Sequence, residues 1–369
     1  MSEAMQTKAP RLRATMSTQA KSHVALRRQL VRSQPQLLAL AGPDHRGVFA
    51  ALAVLTVHWT AIWAVSQTNL LVVFLAAFFF GQVTLHSAGA LIHETAHRLV
   101  FRERGKKLTF DLLLEVITTS FGRQLTYQHE HISSHHPYLG DYERDYEHED
   151  ICRFLSRRQL SQQHSFAQPL LTVAQISIDL LPFGFLISGE IIPRVYGRLT
   201  GRAPKDTRRH IGASKPAAWE FVLFAGVSTV VNIFLFVSFG FLGVLYHIWS
   251  LSLFLGKCGI TNLGQSLSEH PGDDNVHPTL STYWWGNLIL FNTGYHHEHH
   301  TFPDVAWSNL PKLKAMAPEA FSLESGRSYF RCWWDHTRAG FDLPSRRNPY
   351  QRENHDERCG TPKEKWSPI

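Results

Sequence analysis

Three stretches of this chain are too long and too apolar for an ordinary globular core. Residues 48–65 run eighteen positions with one histidine, His58, and no formal charge, and residues 70–92 have His86 as their only ionisable group. Residues 217–256 form an apolar stretch of forty, with Glu220 near its start and Gly240 and Gly243 towards the middle. A helix needs about 20 residues to cross a hydrocarbon core, so the first two stretches predict one span each and the third predicts two joined by a tight turn. A mean hydropathy of −0.16 conceals this, because the apolar runs alternate with polar, basic segments.

Two weaker apolar segments are interrupted by acids, 108–122 by Asp111 and Glu115 and 169–193 by Asp179 and Glu190, the second also by Pro182. Both read as helices lying in the membrane interface, with a fifth or paired span as the alternative for 169–193. Lysine and arginine set the orientation. Lys8, Arg11, Arg13, Lys21, Arg27, Arg28, Arg32 and Arg46 precede the first span against Glu3 and Asp44, whereas 66–69 carries no charge. The N-terminus is therefore expected in the cytoplasm. Arg102, Arg104, Lys106 and Lys107, then Arg153, Arg157 and Arg158, and the basic C-terminal tail assign the same side, which four spans satisfy. The expected fold is an all-α integral membrane protein of about four transmembrane helices with interfacial helices and a cytosolic cap. Its parts are a cytosolic basic segment (1–47), a membrane domain (48–321) and a cytosolic tail (322–369) without an assignable motif.

A net charge of +7 and a pI near 9.3 raise the question of nucleic acid. The basic residues flank apolar spans, however, where they account for topology and contact with anionic lipid, and no nucleic-acid-binding motif is present. Cys152, Cys258, Cys332 and Cys359 are scattered, which indicates neither a disulfide framework nor a paired-cysteine zinc site. The first forty residues lack an apolar core of signal-peptide type, so insertion would rely on the first span.

The informative residues are the histidines, 22 in all. Nine fall at four short sites on the expected cytoplasmic side. His93 and His97 continue the second span four residues apart, on one helical face. His131 is followed by His135 and His136, and His296 by His299 and His300, while His270 stands just beyond the last span. Ionisable side chains at the ends of membrane spans are costly and tend to be functional. Imidazole suits zinc, copper, iron and nickel, so type alone does not name the metal. A zinc site uses three or four protein ligands; nine overfill it, and two metals are the economical reading. His58, His86, His164, His210, His247 and His336 read as ordinary packing or interface residues.

Two shorter matches compete. His93-Glu94-x-x-His97 fits the zinc-protease signature with the glutamate as general base, but a membrane protease leaves the other seven histidines unexplained. His270-Pro271-Gly272-Asp273 is like a haem-binding His-Pro-Gly-Gly but ends in aspartate, so a fused haem domain is rejected.

The three boxes, His93 to His97, His131 to His136 and His296 to His300, resemble those of the membrane fatty acid desaturase and hydroxylase superfamily. The likeness is closest to the sphingolipid 4-desaturase branch, through Ser268-Glu269-His270, Asn292-Thr293-Gly294-Tyr295 and Tyr138-Leu139-Gly140, and in motif order it covers roughly residues 27 to 321. Box two departs from that branch. It has three residues between His131 and His135 where the branch usually has two, a form more like the alkane-hydroxylase branch, which leaves desaturation and hydroxylation both open.

The resemblance implies two iron ions held by the nine histidines, dioxygen as cosubstrate and a lipid acyl or sphingoid-like chain as substrate. It also implies an external electron donor, a b-type cytochrome or a ferredoxin, since the chain has no flavin or nicotinamide fingerprint and no bound flavin or haem is expected. Glu94, Glu269 and Glu298 each neighbour a ligand histidine and are expected to orient imidazoles, and Asn292 to hold a metal-bound water. Asp141 and Asp145 either steady the loop after box two or are solvated. A desaturase in the endoplasmic reticulum is the leading expectation. A hydroxylase on the same scaffold is the alternative, and a bacterial inner membrane would serve the same topology.

Overall fold

The computed structural model describes residues 16–141, 144–147, 167–201, 215–256, 258–270 and 279–339. Among them regular structure is helical, apart from isolated bridges such as Ala41 with Val305 and Ser281 with Glu324. Three helices are long and apolar enough to cross a membrane: Arg46–Ser66, Leu70–Ala96 and a run over Ala218–Glu269. We label α1 Thr18–Ser33, α2 Arg46–Ser66 and α3 Leu70–Ala96, the last containing a π turn at Ala77–Gly81.

The third apolar run is not one straight rod. Helix α4, Ala218–Leu255, has 38 residues, about 57 Å if straight at 1.5 Å per residue, nearly twice a hydrocarbon core of about 30 Å. It breaks at Gly240, whose φ of 68° and ψ of −170° lie in a region that only glycine occupies without strain. Contacts on either side show the chain doubling back. Ser228 bonds the Glu115 carboxylate at 2.5 Å and His247 pairs with Thr119 at 2.7 Å, although Glu115 and Thr119 are one helical turn apart. His58 meets His247 at 3.0 Å and the next residue, Trp59, stacks on Phe234. Both arms therefore pack side by side against α2, burying Ile62, Val65, Val231, Leu235, Tyr246 and Leu253. The outward faces are apolar, with Phe49, Trp63, Leu71, Phe79, Val222 and Val237 exposed, as lipid contact requires.

Segment 108–122 forms a helix, Arg104–Thr118, whose acids are buried and satisfied instead of facing an interface. Asp111 takes Lys107, Thr95 and Gln128, while Glu115 takes Ser120, Gln124, Ser228 and the Gly122 N–H. It closes the core formed with α2 and α3 through Phe110, Leu114 and Ile117. Segment 169–193 is broken: a helix over Ala167–Asp179, a turn with Phe183 at φ 63°, then a π turn leading into Ile192–Thr200. Leu170, Val173, Leu181, Ile191, Val195 and Leu199 are exposed, the pattern of a helix pair with one apolar side.

The segments flanking the apolar helices fold onto one end of the bundle. Arg27 of α1 grips Asp304 with two bonds of 2.7 Å, and Leu30 and Leu37 join Phe302, Leu310 and Phe321 in a third core. The segment after Phe321, expected to be a tail, contributes a helix, Tyr329–Ala339, packed on Ile260–Glu269. Arg153, Arg157, Arg158, Cys152, Cys359, His164, His210 and the residues after 339 lie outside the described residues.

Candidate metal centre

Four short helical ends deliver the nine predicted histidines to one place. The last turn of α3 carries His93, and His97 caps it. Helix α5, Arg123–Glu130, runs into a π turn, His131–His135, and a final turn that begins at His136. His270 caps α6, Ile260–Glu269, and α7, His296–Thr301, is box three itself. The donor atoms fall into two sets. His93, His97, His131, His136 and His299 form the first, and His135, His270, His296 and His300 the second, the atoms of each set lying within 4.8 Å of one another.

The distances within each set test whether a metal fits. At about 2.1 Å from a shared ion, neighbouring imidazole nitrogens are about 3 Å apart and opposite ones about 4.2 Å. In the first set Nε2 of His131 lies 3.1 Å from that of His97 and 3.1 Å from that of His136, which is 3.2 Å from that of His299. In the second, Nε2 of His296 and His270 are 2.8 Å apart, and those of His135 and His300 3.3 Å. One N–H between two rings can make a hydrogen bond, but His131 and His136 each face two other Nε2 atoms with a single donor or acceptor site to share between them, whereas a central cation would accept every lone pair. Burial first, and then the neighbouring rings, hold His97, His131, His136, His296, His299 and His300 below the ordinary imidazole range. The neutral, ligating form is thus favoured.

Behind the rings stands a layer of carboxylates. Asp145, 1% exposed, accepts from Nδ1 of His135 at 2.9 Å and from the Gly140 N–H at 2.8 Å. Gly140 has φ 73°, and a side chain there would strike Gln19 of α1, so glycine is what the turn of Tyr138-Leu139-Gly140 needs. Glu269 reaches Nδ1 of His296 at 3.1 Å and is itself held by Gln265 at 2.8 Å and by the Tyr329 hydroxyl. Glu94 lies 3.9 Å from Nδ1 of His93 and accepts the Trp307 N–H at 3.1 Å. Carboxylates bonded to Nδ1, as Asp145 and Glu269 are, fix ring orientation and raise imidazole basicity, whereas Glu94 stands too far from His93 for a hydrogen bond. At His135 burial opposes charging, but the Asp145 and Glu147 carboxylates outweigh it and lift the imidazolium to about 9.

Two expected residues are placed differently. The Glu298 carboxylate accepts from Ser281 and Tyr283, both at 2.5 Å; burial raises its pKa and these bonds partly offset the rise. The Asn292 amide donates to the Trp307 carbonyl at 3.0 Å from a backbone with φ 56°, on the residue whose N–H bonds the Glu94 carboxylate. Asp141 pairs with Arg144 at the rim.

Sequence reasoning also missed partners. His23 of α1 is buried against box three, pairing with Thr301 at 2.9 Å and Thr279 at 3.2 Å. Tyr329 lies in the expected tail. Glu147 points at the second set, 3.4 Å from Nε2 of His135. Only for Glu147 was there a signal, an acid beyond a histidine box and close to the already named Asp145.

The π turn answers the departure in box two. In an α-helix, residues at i, i+3 and i+4 share a face. A π turn admits one extra residue, so that His131, His135 and His136, at i, i+4 and i+5, share one here. Nε2 of His131 and His136 are consequently 3.1 Å apart.

The fatty acid desaturase family model matches residues 68–333. The chain belongs to the fatty acid desaturase family. This desaturase-family chain is 24% identical over 307 residues to the mouse sphingolipid delta(4)-desaturase DES1, covering 81% of this chain and 82% of the relative. It is 26% identical over 316 residues to the human sphingolipid delta(4)-desaturase/C4-monooxygenase DES2, 85% and 87% of the two chains. A putative sphingolipid delta(4)-desaturase/C4-monooxygenase of Caenorhabditis elegans is 24% identical over 303 residues, 81% of this chain and 74% of the relative. No solved structure matches it. Membership of this family makes the chain a membrane oxidoreductase of the sphingolipid-desaturase-like branch.

Proposed function

We propose that this protein is a dioxygen-dependent di-iron oxidase that introduces a double bond into an acyl or sphingoid-like lipid chain. The observation that carries the reading is the sorting of nine histidines into two sets whose nitrogens are spaced as ligands around an ion. Bound iron with dioxygen supplies the oxidising power to remove hydrogen from an unactivated methylene, which acid and base side chains lack.

The chain's own residues do the rest. Asp145 and Glu269 fix His135 and His296 through their Nδ1 atoms, leaving Nε2 to ligate. Helix α1 backs box three through His23 and Thr301, and Tyr329 holds the Glu269 carboxylate behind His296. In desaturation two adjacent methylenes lose one hydrogen each, and dioxygen with two electrons and two protons leaves as two waters. In hydroxylation one hydrogen is replaced by hydroxyl and one water leaves. Both need two electrons from outside, which we assign to a b-type cytochrome or a ferredoxin. Hydroxylation stays as the second reading because two of the relatives are named for both activities. The choice depends on placing the chain to within about an ångström of the oxidant.

We further infer four membrane crossings, α2, α3 and the two arms of α4. The charge distribution supports an N-terminus and a histidine end facing the cytoplasm, with the endoplasmic reticulum as the expected membrane. Purified protein and host lipids should be analysed together after expression with a compatible donor. Two irons and a product lighter by two hydrogens are expected. A product heavier by one oxygen would make it a hydroxylase, and activity retained by the His299→Ala, His300→Ala double variant would end the di-iron reading.

A further inference from the structure

The two histidine sets are unequal, five in one and four in the other, and the smaller has a carboxylate at its open side. Glu147 Oε2 is 3.4 Å from Nε2 of His135, and Oε1 is 4.0 Å from Nε2 of His270. These spacings fall between the values of about 3 and 4.2 Å expected for neighbouring and opposite ligands of one ion. The side of approach is decisive. Asp145 and Glu269 reach their imidazoles at Nδ1, behind the ring, whereas Glu147 comes from the Nε2 side, where His270, His296 and His300 also converge. Glu147 is also grouped with His131 and His135, all three donor atoms lying within 4.8 Å, and His131 belongs to the other set. We propose that Glu147 is a tenth ligand, its carboxylate completing the four-histidine set and reaching towards the ion of the five-histidine set.

The charge argument agrees. Nine neutral imidazoles offset none of the four positive charges of two divalent ions, and burying uncompensated charge is expensive. A carboxylate in direct contact offsets more of that charge than one behind a ring. Because it sits between the sets, Glu147 makes the two ions chemically different, one ligated by nitrogen with a shared or distant oxygen, the other by four nitrogens and an oxygen. Its side chain is 24% exposed, so it can swing on its ligating bond more freely than any buried histidine.

This inference rests on the two-metal reading, and its test separates the two. Wild type, E147Q and E147D would be loaded with iron-57, their bound iron measured against free iron, and Mössbauer spectra taken of the reduced forms. The wild type should hold two irons and give two doublets of different isomer shift. E147Q should weaken one of the two irons by at least about tenfold and alter one doublet more than the other, while E147D should keep both irons and shift that same doublet. If E147Q does not fold, E147D carries the test by its doublet alone. Two irons with spectra unchanged in either folded variant would overturn the role of Glu147 and leave the two-metal reading standing, whereas a wild type unable to hold an iron pair would overturn both.

Discussion

On the two-metal reading, Asp145 would support the centre without ligating an ion. Its carboxylate holds Nδ1 of His135 and the Gly140 N–H together, so Asp145→Asn should weaken one iron by about 10- to 100-fold, read by iron titration of the purified protein, with little change in the apo fold. Glu298→Gln should do the opposite: its bonds run to Ser281 and Tyr283, so iron should stay near two per chain while stability falls by about 1–3 kcal/mol in a thermal melt. The nine histidines were legible because their spacing is local and helical. Glu298 misled because consecutive residues on a helix point about 100° apart, so adjacency to a ligand is not contact with it. Asp145 stayed ambiguous because its partner is reached by a loop closing over ten residues, which no periodicity announces.

At the scale of elements, box two on the two-metal reading is a ligand strip, and its register is set by a π turn. Deleting Ser133, inside that turn, should relax it to an α turn that still groups the three histidines. Iron content should remain near two, while inserting one alanine at the same point should lower it by one or more, by metal analysis. Gly240 is the other sensitive point. Its conformation excludes a β-carbon on backbone grounds although nothing crowds it, so Gly240→Ala should cost about 1–3 kcal/mol in resistance to denaturant without altering iron spectra. The break in the third apolar run was legible from forty residues of hydropathy with two central glycines. The burial of Arg104–Thr118 was not, because Asp111 and Glu115 look like surface acids until Lys107, Gln124, Gln128 and Ser228 are seen to satisfy them.

For the whole molecule, the ends of the chain are parts of the centre. His23 backs box three and Tyr329 holds Glu269, so truncation after Phe321 should lose iron, by metal analysis of the shortened protein. The sequence placed a boundary at 321 because the apolar runs and motifs end there; the eleven-residue helix that packs on α6 buries Tyr329, Cys332 and His336 at helical spacing, a pattern too short to single out among its aromatic and basic neighbours. The two histidine sets are also interleaved along the chain. Box two sends His131 and His136 to one set and His135 to the other, and box three divides His299 from His296 and His300. An ion entering either set therefore fixes both helices for the next, so iron uptake should be cooperative. In native mass spectra at half-saturating iron, chains with none and with two should outnumber chains with one, and the cell would meet this protein either empty or fully charged.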